Sequence, residues 1–122
     1  MTSRPVNLDL TTVRMPFTAV LSILHRITGV IIFIGMPILL WLFQQTLASP
    51  QGFNYVQELL ASGFYRFAFF GLIWAFAYHI MAGLKHLAMD LGHAETPETA
   101  KVAAALVVIG NVLVLIFLGV RL

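Results

Sequence analysis

Two histidines lie in a part of the chain that is otherwise rich in apolar residues. His79 and His86 belong to the stretch AYHIMAGLKHLAMD, residues 77–90, which follows a long run of aromatic and aliphatic side chains. Because about seven residues make almost two turns of an α-helix, the two imidazoles share a face, and His79 lies about 10 Å deeper along the axis. Asp90 lies on the same face, and Gly83 leaves space for a flat ligand one turn from His79.

An imidazole inside a lipid bilayer needs a polar partner, and two kinds of partner fit His79. Neutral imidazole is a common axial ligand of haem iron. A haem lying against the face near Gly83 would direct its carboxylates toward a cationic rim, which comprises His25, Arg26, Lys85 and His86. The other partner is a neighbouring helix, joined to His79 by a hydrogen bond. Ionisable residues inside a membrane often serve function, but the residues alone leave both interpretations open.

A haem on His79 would need its second axial ligand from another chain. His25, His86 and His93 all lie at the edge of the predicted membrane region and not at the depth of His79. Three helices alone also enclose a porphyrin poorly. The sequence therefore predicts a subunit that shares its cofactor with a partner protein.

A second group of polar residues opens the first apolar run, in LSILHRITG at residues 21–29. Ser22 and Arg26 are one helical turn apart and share a face, with His25 on the same side. A hydroxyl and a guanidinium at the lipid boundary can bind a quinone carbonyl and stabilise charge on its reduced ring. The alternative is that Arg26 reaches lipid phosphates while Ser22 bonds its own backbone, and the pattern alone favours this alternative.

The composition indicates a membrane protein. The chain has 122 residues, of which 60% are apolar and 10% charged, and its mean hydropathy is +0.93. A soluble domain has about 45–50% apolar and about 25% charged residues. There is no cysteine, which excludes disulfides and thiolate iron–sulfur ligands, and the formal charge of +2 is too small to suggest a nucleic-acid partner.

Three apolar stretches are long enough to cross a bilayer, at residues 21–47, 64–90 and 100–121. Because backbone groups in hydrocarbon must bond internally, each is predicted to be a helix, with Pro37 as a candidate kink. The fold class expected is therefore all-α, a three-helix transmembrane domain at 21–122. Residues 1–20 lack the apolar core of a signal peptide, so we expect a retained cytoplasmic or interfacial segment that does not span.

Two connections separate these spans. Residues 48–66 contain the turn signals Ser49-Pro50 and Gly52, followed by a short amphipathic piece. Residues 93–101 are polar, and Thr96-Pro97 predicts a helix start with proline at the first helical position.

Positive charge predicts the orientation of the chain in the membrane. Two of the seven Lys and Arg residues, Arg66 and Arg121, lie on the side opposite the N-terminus. The other five lie on the N-terminal side: Arg4, Arg14, Arg26, Lys85 and Lys101. We therefore expect a cytoplasmic N-terminus.

Three motifs, in this order and spacing, resemble those of one family. They are RPVNLDL at 4–10, SILHRITG at 22–29 and HIMAGLKHLAMD at 79–90. They are similar to motifs of the cytochrome b556 family, the larger membrane anchors of succinate dehydrogenase (complex II), and the short RPVNLDL resembles the bacterial branch. The resemblance covers most of the chain through Asp90, and the three-span pattern fits to the end. Lys85 replaces the arginine usual in the family, which keeps the charge but loses the bidentate guanidinium.

The resemblance implies roles for five residues of this chain. It implies that His79 is an axial ligand of haem b, with the other axial histidine supplied by a sister anchor subunit. It places His25 and His86 near the haem propionates. It assigns Ser22 and Arg26 to the ubiquinone site.

The resemblance also implies partners and a reaction of the tricarboxylic acid cycle. Succinate would be oxidised on a flavoprotein subunit, and electrons would reach ubiquinone through an iron–sulfur subunit at the bacterial cell inner membrane. This chain would lack the succinate site, since it has no flavin-binding glycine motif and no cysteine. Two other functions stay open: an anchor of fumarate reductase, which runs the reaction backward, and a haem-free membrane scaffold or transporter component.

Overall fold

A computed structural model describes residues 17–121, and within that range the chain is helical without any strand. The helices are α1 (Phe17–Ala48), α2 (Pro50–Ala61), α3 (Gly63–Asp90) and α4 (Pro97–Arg121). Helices α1, α3 and α4 are long and apolar enough to cross a membrane. The predicted all-α membrane fold with three long apolar helices is confirmed. Of the N-terminal segment predicted at residues 1–20, residues 1–16 lie outside the part of the chain that the structure describes.

Helices α1 and α4 begin a few residues before the spans that the sequence predicts. Helix α1 begins at Phe17 and α4 at Pro97, where the sequence suggested starts at about residues 21 and 100. Hydropathy marks only the part of a helix that suits hydrocarbon, and the polar first turn of α4 lies beyond that part. Helix α1 contains Pro37 and continues through it to Ala48. The division of the chain at residue 20 stays a prediction.

Helix α2 begins immediately after α1, at a capped corner. The hydroxyl of Ser49 accepts a hydrogen bond from the N–H of Gly52 at 3.0 Å, and Pro50 occupies the first turn. A Cβ at position 52 would collide with the carbonyl oxygen of Gln45, so the corner requires glycine. The predicted turn is therefore the start of a helix, and the amphipathic piece that follows is helix α2.

Arg66 ties the end of α2 to the start of α3. Its Nε donates to the carbonyl of Leu60 at 3.2 Å, and its Nη2 donates to that of Ala61 at 3.5 Å. The N–H of Ser62 donates to the carbonyl of Leu59 at 3.2 Å. Because the last carbonyls of a helix lack intrahelical donors, these bonds satisfy them and hold α2 against α3.

The connection between α3 and α4 opens with a tight helix end. Gly92 has a φ of 86°, which favours glycine. The N–H of His93 donates to the carbonyl of Ala88 at 2.8 Å, and that of Gly92 donates to Met89 at 3.0 Å. These two bonds form the Schellman arrangement that commonly closes helices.

Helix α4 opens with the cap that the sequence predicts. The hydroxyl of Thr96 accepts a hydrogen bond from the N–H of Thr99 at 3.2 Å. Pro97 is the first residue of the helix, where its missing N–H costs no hydrogen bond. The predicted helix start is confirmed.

Helix α3 is the centre of the bundle, with α1 and α4 packed against it. The three helices meet most closely around a buried cluster, which contains Leu21, Tyr78, Ala82, Ala104 and Val107. Toward α2, helices α1 and α3 diverge around an apolar cavity of about 580 Å³. Many large apolar side chains face outward, among them Phe33, which is 82% exposed. Such a surface requires lipid or partner protein to cover it.

Candidate functional site

Three imidazoles stack at one end of the bundle. The ring of His25, on α1, lies 4.2 Å from that of His79 and 5.0 Å from that of His86, centroid to centroid. The planes differ by 22° and 19°, so the three rings are nearly parallel. His79 and His86 share a face of α3, as the spacing predicts, and a histidine from another helix lies between them.

The space above Gly83 holds part of this stack. A Cβ at position 83 would lie 3.6 Å from Nε2 of His25. The sequence suggested that a flat ligand would use this space, but in the structure an imidazole of α1 occupies it. The face of α3 that carries Gly83 therefore looks toward α1.

The orientation of His79 is set by hydrogen bonds from α1. Its Nδ1 lies 3.0 Å from the backbone carbonyl oxygen of His25 and 3.3 Å from the hydroxyl oxygen of Thr28. A carbonyl oxygen can only accept, so the first contact is a hydrogen bond only if Nδ1 carries the proton. In that neutral tautomer the free lone pair is on Nε2. The position of a backbone oxygen thus favours a proton on Nδ1.

Thr28 and Gly29 form the rest of the seat for His79. Thr28 is 1% exposed, and its hydroxyl donates to the His25 carbonyl at 2.9 Å. A Cβ at position 29 would approach Cε1 of His79 to 3.0 Å, so any larger residue would require the ring to shift by a few tenths of an ångström. Sequence reasoning assigned neither residue a role. The available signal was a hydroxyl and a glycine within one turn of His25.

Tyr78 is a third residue to which sequence reasoning assigned no role. Its ring is buried, and its hydroxyl donates to the backbone carbonyl of Leu21 at 2.7 Å. This bond joins the middle of α3 to the first turns of α1, next to Ser22. A tyrosine directly before an intramembrane histidine is the signal that could have found it.

His86 and Lys85 are adjacent in sequence but face different surroundings. His86 is half-buried, and its Nδ1 donates to the carbonyl of Ala82 on the same helix at 2.7 Å. Lys85 is 8% exposed and belongs to the buried stripe of α3 with Tyr78 and Ala82. At about 100° per residue, it lies roughly a third of a turn away from the face of His79. The sequence predicted Lys85 on an open rim beside His86, whereas the structure shows its side chain buried.

The remaining predicted residues lie at the same end of the bundle. Ser22 is half-buried on α1, and Arg26, one turn later, is exposed. Asp90 is exposed at the last position of α3. Arg26 is thus open to a ligand or a partner chain. Among residues 17–121, no group of three or more side chains of metal-ligand type converges. A metal ion bound at His79 would therefore need ligands from a cofactor or another chain.

Comparison with known families agrees with this arrangement. Residues 2–118 match the family model described as succinate dehydrogenase/fumarate reductase transmembrane subunit. The chain belongs to this family. Members of the succinate dehydrogenase/fumarate reductase transmembrane subunit family serve an oxidoreductase complex, and the three apolar helices described above are those of a multi-pass membrane subunit.

Several relatives carry the name succinate dehydrogenase cytochrome b556 subunit. One from Coxiella burnetii is 37% identical over 96% of this chain and 94% of its own length. One from Paracoccus denitrificans is 31% identical over 90% of this chain and 85% of its own length. One from Rickettsia conorii is 31% identical over 96% of this chain and 91% of its own length. The predicted resemblance to cytochrome b556 anchors is confirmed.

Proposed function

We propose that this family member binds a haem b through Nε2 of His79 and contributes Ser22 and Arg26 to a ubiquinone site in succinate:ubiquinone oxidoreductase. The observation that carries the proposal is the 3.0 Å contact between Nδ1 of His79 and the backbone carbonyl oxygen of His25. A proton on Nδ1 held by this carbonyl leaves Nε2 able to coordinate iron. Histidines that ligate metals almost always donate their other N–H in this way.

The two sequence interpretations of His79 are therefore compatible. The bond between Nδ1 and α1 is the helix–helix hydrogen bond of the second interpretation, and it uses only one of the two ring nitrogens. The second nitrogen keeps its lone pair for the iron. A bound haem would supply a one-electron redox centre, and the chain's contribution is to hold the imidazole in a fixed orientation and tautomer.

A second chain is proposed to supply the other axial histidine. A haem held by Nε2 of His79 would need a second histidine outside the stack that His25 and His86 form with this ring. The imidazole of His25 stacks on the ring of His79, and the imidazole of His86 stacks on that of His25. This geometry supports a sister anchor subunit that shares the haem, while His25 and His86 lie at the end proposed for the haem propionates.

Arg26 and Ser22 are proposed to bind the quinone headgroup. Arg26 is exposed, and Ser22 is on the same face of α1 one turn earlier. A hydroxyl and a guanidinium can both donate to a quinone carbonyl, and the fixed positive charge stabilises negative charge that develops as the ring accepts electrons. The iron–sulfur subunit would deliver those electrons at this face, and the flavoprotein subunit would oxidise succinate.

An anchor of fumarate reductase is the second candidate, because the matching family model covers both complexes. The names of the relatives favour succinate dehydrogenase. The two differ in the potentials at which the haem and the quinone are reduced. A redox titration of the purified complex decides between them.

Loss of the imidazole at position 79 tests the haem proposal. We expect the complex carrying His79→Ala to lose its dithionite-reduced b-type absorption band, because the iron loses an axial ligand. His93→Ala is the matched control, since His93 is exposed in the connection between α3 and α4. Succinate oxidation by a soluble artificial acceptor should persist in both variants and report assembly.

An unchanged band in His79→Ala would remove His79 as the ligand. A wild-type complex without any b-type band would instead indicate the haem-free scaffold. Loss of the soluble-acceptor activity in His79→Ala would show that the imidazole serves assembly, and the haem role would then be judged on the more conservative His79→Gln.

A further inference from the structure

We propose that Thr28 is a positioning residue for His79, and that its hydroxyl adjusts the affinity of Nε2 for the iron. This inference rests on the proposed haem ligation and extends it to Thr28, which does not itself contact the iron. Three features lie on one turn of α1. They are the buried hydroxyl of Thr28, the His25 carbonyl that both this hydroxyl and Nδ1 of His79 contact, and Gly29 beside the imidazole ring. Together they form a seat on α1 for the imidazole that α3 carries.

The hydroxyl of Thr28 is placed to donate one hydrogen bond and to accept another. It donates its hydrogen to the His25 carbonyl at 2.9 Å. Its oxygen then offers lone pairs toward Nδ1 of His79, which is 3.3 Å away. Nδ1–H therefore faces two acceptors, the carbonyl at 3.0 Å and the hydroxyl oxygen. Because Thr28 is almost fully buried, water does not compete for these contacts.

A hydroxyl bonded to its own helix is common, so the bond to the His25 carbonyl alone would carry no proposal. Thr46, also on α1, makes the same kind of bond to the carbonyl of Phe43 at 2.6 Å. What distinguishes Thr28 is the imidazole from α3 on the other side of its oxygen. The chain therefore offers two threonines with the same local bond, of which one faces the proposed ligand.

The consequence for the iron follows from the chemistry of imidazole. Acceptors at Nδ1–H draw the proton away from the ring and increase electron density at Nε2. A more basic ligand stabilises the oxidised iron relative to the reduced iron, so hydrogen bonding at the far nitrogen lowers the reduction potential. Removal of the Thr28 hydroxyl should raise it.

The test is a redox titration of the haem in the purified complex carrying Thr28→Val, which keeps the shape of the side chain and removes the hydroxyl. We expect the balance between reduced and oxidised haem to move threefold to tenfold toward the reduced form. A tenfold change corresponds to about 59 mV for one electron. Thr28→Ser should stay near the wild-type potential, and so should the matched control Thr46→Val.

An unchanged or lowered potential in Thr28→Val would overturn the proposal, as would an equal rise in Thr46→Val. If Thr28→Val does not assemble, Thr28→Ala replaces it, because it removes the same hydroxyl and adds no bulk. Failure of the underlying haem proposal has a different signature, namely a wild-type complex without haem or a His79→Ala complex with an unchanged band. The two results are thus read from separate measurements.

Discussion

At the scale of single residues, the site depends on atoms that belong to the backbone as much as on side chains. The carbonyl of His25 favours one tautomer of His79, and the carbonyl of Leu21 receives the hydroxyl of Tyr78. A neutral hydrogen bond of this kind contributes about 1 kcal/mol. Its larger effect is geometric, because each bond joins α1 to α3 at a defined depth.

Arg26 provides a test of the quinone proposal at this scale. We expect Arg26→Leu to reduce quinone reduction strongly while succinate oxidation by a soluble acceptor persists, because the charge that stabilises the reduced ring is lost. Ser22→Ala should also lower quinone reduction, but more weakly, because it removes one neutral hydrogen bond, which contributes about 1 kcal/mol. Both activities are measured on the same membranes.

Arg121→Leu is the control for Arg26→Leu, because it removes an exposed arginine from the opposite end of the bundle. The guanidinium of Arg121 lies over the ring of Phe117. Equal loss of both activities in Arg26→Leu would indicate a defect of assembly and contradict a quinone role for this residue.

At the scale of elements, the three long helices could be predicted because each spans a continuous apolar run. The start of α4 could be predicted as well, from a threonine followed by a proline. The same pattern at Ser49-Pro50 is also a helix start, with the hydroxyl bonded to the N–H of Gly52. The sequence predicts a turn here because Ser49-Pro50 and Gly52 are turn signals. Local chemistry thus identified the corner but not the element that follows it.

The contacts between elements could not be predicted from one sequence. Spacing along α3 places His79 and His86 on one face, but it carries no information about which turn of α1 that face meets. Thr28, Gly29 and the carbonyl of His25 reach His79 only after the helices pack. The burial of Lys85 has the same origin, because a lysine near a helix end suggests a surface position until the neighbouring helices are placed.

The corner between α1 and α2 yields a prediction at this scale. Gly52→Ala should destabilise the complex by about 1–3 kcal/mol, because the added Cβ would collide with the backbone carbonyl of Gln45, which cannot move aside alone. Gly63→Ala is the control, since a Cβ there meets nothing within 4 Å. Thermal unfolding of the purified complex measures both, and equal midpoints for the two variants would contradict the close approach.

At the scale of the whole molecule, the polar residues with proposed roles lie at one end of an apolar bundle. The imidazole stack, Ser22 and Arg26 lie where α1 begins and α3 ends, while α2 closes the other end. Of the cations predicted to face the cytoplasm, Arg26, Lys85 and Lys101 are at this end, and Arg4 and Arg14 lie outside the described residues. This distribution supports the proposed cytoplasmic N-terminus in the bacterial inner membrane.

The orientation can be tested with single cysteines, because the chain has none of its own. Gln51→Cys, on exposed α2, should react with a membrane-impermeant maleimide in intact cells, since we place α2 outside the cytoplasm. Glu95→Cys, exposed in the connection between α3 and α4, should react only after the membrane is opened. The reverse pattern would invert the proposed topology.

The uneven packing of the bundle has a consequence for how the sequence can drift. Where α3 meets its neighbours, Ala82 and Ala104 are almost completely buried, and their small size lets the helices approach. A larger side chain there would wedge apart the turns that seat His79, so we expect selection to remove it. Around the cavity near α2, positions such as Ala68 have empty volume beside them and can accept bulk. Lineages should therefore diverge faster at the far end of the bundle than around the stacked imidazoles.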